Sequence, residues 1–108
     1  MELTQISIND VPGIKIGQVE DEAGKTGLTL IISDDSNGFR AGLDIAGGGP
    51  ASRETALLDE RAYAETINGV LLSGGSAFGL DAAGGVMQYM EEHGIGFDTG
   101  VAKVPLVC

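Results

Sequence analysis

Apolar positions along this chain recur first at a spacing of about two and later at three to four, and that change of period organises it. Residues 6 to 19, "ISINDVPGIKIGQV", alternate loosely around Pro12 and Gly13. They predict two short extended pieces, at 5–8 and 14–19. Pro12 belongs in the turn or at an edge, because it cannot donate to a sheet ladder. After the polar connector "EDEAGKTG", the run "LTLIIS" at 28–33 is aliphatic and β-branched and predicts a strand. "DDSNG" at 34–38 is a turn. In "FRAGLDIAGGG", Ala41, Leu43 and Ile45 alternate against Gly42, Asp44 and Ala46. The alternation predicts that 41–46 is the hairpin partner of 28–33.

The second half changes character. Residues 51–66 hold good helix formers but only a short apolar cluster, Ala56 to Leu58, and predict either a one- or two-turn helix with loop around it or a long helix. "GVLLS" at 69–73 reads as a buried strand, bounded by glycine. From Ser76 to His93 the apolar residues Phe78, Ala82, Val86 and Met90 fall four apart, with Ala83 and Met87 beside them, which is a helical stripe. Gln88, Glu91 and Glu92 look outward, and Gly94 can take the left-handed position after the helix. Gly84 and Gly85 each cost about 1 kcal/mol against alanine inside a helix. They predict close packing of this helix on a sheet. A last apolar run at 101–107 reads as a strand, and the chain stops inside it.

Composition narrows the function. Sixteen acidic residues against six basic ones give a formal charge of -10, which argues against nucleic acid and anionic membranes as partners. Hydrophobic residues make up 43%, enough for a core, and 108 residues suit a single domain. One cysteine, Cys108, excludes an internal disulfide. With one histidine besides, it excludes a structural zinc site of Cys and His within one chain. The N-terminus lacks the basic and apolar regions of a signal peptide, and no apolar stretch is long enough to span a membrane. The expected setting is cytoplasmic, with no cofactor.

The candidate chemistry centres on "LLSGGSAFG", 71–79, where glycines join a strand to a helix that opens at Ser76. A nucleophile elbow needs glycine two residues after the serine, and that position holds Phe78. The only possible base, His93, lies roughly 25 Å along the same helix. Ser76 therefore reads as an N-cap, its oxygen accepting a first-turn N–H. The other reading makes the Gly74–Gly75–Ser76 turn a cradle for a substrate anion. Neither glycine-rich stretch has the spacing of a P-loop or a Rossmann turn. The carboxylate pairs 34–35, 59–60 and 91–92 read as solvated faces.

Taken in order, "GIKIGQ", "KTGLTLII", "AGLDIAGGGPASRETALLD", "INGVLLSGGSAFGLDAAGGVMQYMEEHGIGFDTG" and "KVPLV" resemble the P1-family (S58) peptidases, the DmpA-like aminopeptidases and D-esterases. The resemblance implies an α/β fold, the N-terminal part of an αββα sandwich similar to N-terminal-nucleophile hydrolases. It implies a self-processing enzyme that releases N-terminal amino acids from peptides, amides or esters. The family's nucleophile lies downstream of the segment matched by "KVPLV", so no catalytic residue carries over to these positions. Residues 1–108 are expected to be one partial domain, inactive alone, with Gly74, Gly75, Ser76, Gly100, Val101, Ala102 and Lys103 as candidate pocket wall. Cys108 stands where the family commonly has proline. The expected partner is the downstream segment or a second chain of the same fold, in a homo-oligomer. The alternative is a non-catalytic module that self-associates or binds a small anion at Ser76.

Overall fold

In the computed structural model, which describes all of residues 1–108, β1 (Ile14–Asp21), β2 (Thr26–Ser33) and β3 (Gly69–Ser73) form one antiparallel sheet in the order β1-β2-β3. Asp21 closes the first hairpin: its Oδ1 accepts from the Ala23 and Gly24 amides, each at 3.0 Å, the short-range bond that suits Asp to turns. Pairing then runs from Asp21↔Thr26 to Ile14↔Ser33. On the other side of β2, Leu28↔Ser73 through Ile32↔Gly69 are paired.

Both edges of β2 are thereby filled, which overturns the hairpin expected between 28–33 and 41–46. Residues 41–46 form no strand. The chain touches the sheet at a single bridge, Phe39↔Ile67, and then departs from it. Residues 5–8 form no strand; Ser7 is extended, and a 3₁₀ turn, Ile8–Asp10, begins directly after it, capped by Ser7 and Asp10. Residues 51–66 contribute one 3₁₀ turn, Thr55–Leu58, with loop around it, and no long helix.

The helix is shorter than its sequence pattern suggests. Residues Ser76–Asp81 form a 3₁₀ turn, and only then does α1 (Ala82–Glu92) begin. It packs through Ala83, Val86 and Met90, which with Val107 make the buried core; Leu30, Ile32, Leu71, Met87 and Ile95 lean on it. Phe78, expected in this stripe, is 93% exposed, because the 3₁₀ turn breaks the angular series that α1 continues. The close packing expected of Gly84 and Gly85 is also overturned: both are exposed, and a Cβ on either would meet nothing within 4 Å. The C-terminus matches expectation. Gly94 has φ +69, its amide bonds the Glu91 carbonyl, and Ile95 N–H bonds the Met90 carbonyl at 2.9 Å. This is a Schellman closure, with Ile95 as its apolar contact.

The strand expected at 101–107 is split by Pro105. Before it, β4 (Phe97–Asp98) and β5 (Lys103–Val104) make a two-residue hairpin. After it, the chain runs parallel to β3. Leu106 O accepts from the Asn68 and Gly69 amides, Cys108 N–H donates to Gly69 O, and Cys108 O accepts from Leu71. Asn68 is buried, and its Oδ1 holds the Leu106 amide at 2.9 Å. β3, α1 and 105–108 thus form a βαβ unit with the chain's one α-helix as crossover.

That helix serves one face of the sheet. Leu30, Ile32 and Leu71 point to it. By alternation Ile16, Ile31, Val70 and Leu72 point away, and Ile16, Ile31 and Val70 form a cross-strand row. Nine residues of 108 are buried, and the accessible surface is 7930 Å², against about 5,600 Å² for a compact protein of this mass. The radius of gyration is 15.1 Å, where about 13 Å is typical. Much of the surface a closed domain buries is open here.

Candidate functional site

The turn after β3 is built by backbone approach. Gly75 has φ 92 and ψ 20, a left-handed conformation that glycine adopts without strain. A Cβ at Gly74 would sit 2.6 Å from Thr26 Oγ1, and one at Gly79 would overlap the Gly74 carbonyl oxygen. Ser73 Oγ donates to the Gly79 carbonyl at 2.9 Å, with the Gly74 carbonyl at 3.1 Å. The glycines of "GGSAFG" therefore press the 3₁₀ turn onto the strand end.

Ser76 does not cap the helix, contrary to the sequence reading. It stands inside the 3₁₀ turn with φ 59, after Gly75 at the cap position, and no side-chain cap bond forms. Its hydroxyl is exposed. His93 lies at the far end of α1, with Nδ1 2.7 Å from the Tyr89 carbonyl oxygen and its ring stacked on Tyr89 at 4.1 Å between centroids. Serine and histidine are thus held apart by the helix itself. No three His, Cys, Asp or Glu side chains converge as metal ligands.

The other candidate wall, Gly100 to Lys103, is the tip of the β4–β5 hairpin. Thr99 N–H donates to the Ala102 carbonyl at 3.0 Å and Thr99 Oγ1 donates to it at 2.8 Å; Gly100 N–H donates to Asp98 Oδ1 at 2.8 Å. The tip's polar groups satisfy one another, and Val101 is fully exposed. Because 105–108 runs parallel to β3, Gly100–Lys103 precede its N-terminal end while Gly74–Ser76 follow its C-terminal end. About 15 Å of strand separates them. None of the five main clefts contains members of both groups.

The largest cleft, about 640 Å³, lies elsewhere. Its floor is the end of β3 with Val107 and Cys108; its wall is residues 41–46 and 50–53. Of the expected pocket residues only Gly74 reaches it. Arg53 anchors the wall, its guanidinium 3.4 Å from the Leu80 carbonyl oxygen and 3.3 Å from Met87 Sδ. Cys108 Sγ is 3.5 Å from the Glu54 carbonyl oxygen. Burial, and then the nearby Glu54 charge, push the Cys108 thiol above its ordinary value, which keeps it protonated and a poor nucleophile. The apolar alternation of 41–46 was the sequence signal for this wall, read as a strand.

Residues 7–108 match the profile of peptidase family S58. The chain belongs to peptidase family S58. It is 40% identical over 111 residues to an uncharacterised aminopeptidase of Mycobacterium tuberculosis and to one of Mycobacterium bovis, covering 94% of this chain and 31% of each relative. To an uncharacterised aminopeptidase of Mycobacterium leprae it is 38% identical over 109 residues, covering 94% of this chain and 30% of that protein. The chain therefore spans about a third of the length of the curated relatives it matches. No helix is long and apolar enough to cross a membrane.

Proposed function

We propose that these 108 residues are the N-terminal framework of a self-processing S58 aminopeptidase, one half-sheet of an αββα sandwich whose reacting groups are supplied by the rest of the fold. The enzyme releases N-terminal amino acids from short peptides, amides or esters. Its nucleophile is a serine or threonine freed as a new N-terminus by self-cleavage, whose own amine serves as base. The observation that carries this reading is the combination of a family match to a third of each relative's length with a helix covering one sheet face alone. The open row Ile16, Ile31 and Val70 is the surface on which a second sheet packs in a sandwich.

Within this chain the chemistry is positional. β3 and the Gly74–Gly79 turn set the height of the strand end, and α1 holds it from behind. Ser76 takes no part in bond making. The test is amino-acid release from aminoacyl p-nitroanilides. The chain alone turns nothing over. Produced together with the part of the M. tuberculosis relative outside the matched region, it gains activity, and Ser76→Ala leaves kcat within about twofold. Turnover by the chain alone that Ser76→Ala abolishes would overturn the proposal.

A further inference from the structure

Six Lys and Arg side chains share this chain with sixteen Asp and Glu, so a sheltered cation without an acid beside it calls for an explanation. Lys15 pairs with Asp34 and Arg61 with Asp59, and no other ion pair forms. Of the six cations, Arg53 alone is not exposed, and it is the only one that lines the largest cleft. Burial strips hydration from a charge, and sheltered charges are ordinarily paired. Arg53 has no such partner. Its guanidinium makes a long contact of 3.4 Å to the Leu80 carbonyl oxygen and one of 3.3 Å to the Met87 thioether, a weak acceptor. The rest of its five N–H groups meet no acceptor in the chain. Asp44 is the one acid in the cleft lining, and it does not lie within ion-pair distance of Arg53.

We infer that the Arg53 end of this cleft binds a small monocarboxylate with a branched aliphatic tail. Guanidinium and carboxylate match as a two-pronged, charge-assisted pair, and the ligand supplies the acceptors that Arg53 lacks. Its tail lies against Leu43, Ile45, Leu58 and Leu80, which line the same cleft. Apolar walls with a few placed polar groups are the ordinary make-up of a small-molecule site, and about 640 Å³ falls within the usual range of such sites, roughly 300–1,000 Å³. One cation in the lining suits one carboxylate; Asp44 repels a second negative group. The net charge of -10 opposes anions over most of the surface, so a cation between apolar walls gives this place its selectivity. The inference goes beyond the framework reading and does not depend on it, because every group it uses lies within this chain.

The test is titration of the chain with 4-methylpentanoate, followed by NMR at the Arg53 Nε–H and at the amides of 41–46. Those signals shift together and saturate, with a millimolar or tighter Kd. The corresponding amide, 4-methylpentanamide, has the same shape without the charge and binds at least tenfold more weakly, a comparison that needs no variant. Arg53→Gln weakens binding at least tenfold; Arg53→Lys, which keeps the charge but not the fork, weakens it less. Asp44→Asn, at an exposed position, tightens it. Equal binding of acid and amide overturns the inference. So does an absence of saturation, or a response at Lys25, Arg40 and Lys103 equal to that at Arg53. The titration is repeated on the chain produced together with the non-matching part of the M. tuberculosis relative. Binding kept in that complex supports a free small acid as the occupant. Binding lost there assigns Arg53 to a carboxylate of the remainder and overturns the inference, while amino-acid release by the same complex reports separately on the functional reading.

Discussion

The two faces of the β1-β2-β3 sheet differ in what the chain supplies to cover them. Toward α1, Leu30, Ile32 and Leu71 meet Ala83, Val86 and Met90, and Met90 is fully buried. Away from it, Val70 and Ile31 are half-buried beneath no helix, and Leu72 is 61% exposed. Local sequence is equally apolar on both sides. The difference is that one face finds its partner within 25 residues of β3, through a helical crossover, and the other does not find one in this chain. A strongly apolar strand pattern thus reports how many faces are destined for burial, while a short segment can cover only one of them.

The comparison can be broken at its strongest point first. Met90→Ala removes a side chain from the one dense contact, and the expected loss is about 2–5 kcal/mol, enough to unfold a domain of marginal stability. Chemical denaturation measures it. Next comes Gly79→Ala, whose methyl would strike the Gly74 carbonyl oxygen and crowd Ser73 Oγ at 3.0 Å. A cost of about 1–3 kcal/mol is expected, read as a fall in thermal midpoint. Gly84→Ala and Gly85→Ala have the opposite sign. Their surroundings are open and neither residue has positive φ, so each stabilises by about 0.5–1 kcal/mol. Destabilisation by either would mean that the outer side of α1 is already in contact with something.

The smallest effect sharpens the contrast between packed and solvated regions. Asp59 accepts from the Arg61 guanidinium at 2.9 Å at both oxygens, and from the Arg61 amide. These bonds hold its carboxyl at about 2. A depressed pKa favours the folded state above the unfolded value of about 3.9, and the benefit fades as pH falls through that value toward 2. Arg61→Gln should raise the Asp59 titration in NMR only part of the way to its ordinary value, because the backbone amide of residue 61 still donates to the carboxylate. Both groups are solvated, so the thermal midpoint at neutral pH should stay almost unchanged.

Period and punctuation made β1, β2, β3 and the C-terminus of α1 readable. The alternation of 28–33, the aliphatic "GVLLS" and Gly94 each act through neighbours a few residues away. Pairing was not readable in the same manner. The pattern at 41–46 suits a strand, but β2 had two better partners, one closed locally by Asp21 and one delivered by the long connection to Gly69. Ser76 shows the second kind of limit. Its type and position fit a cap, but Gly75 takes the cap position in a left-handed conformation and Ser76 follows it with φ 59 inside the 3₁₀ turn, a backbone course that residue types alone do not declare.

Leu71 and Leu72 are adjacent residues of one strand on opposite faces, so they test the one-sidedness directly. The decisive measurement is the urea midpoint of Leu71→Asp and Leu72→Asp in the isolated chain. Leu71→Asp should abolish the folded baseline, because it places an unpaired charge among Val86, Met90 and Val107; Leu72→Asp should leave the midpoint within experimental scatter of the parent. Equal, large losses for both would show that the second face is already closed, and the account of an open framework would be wrong.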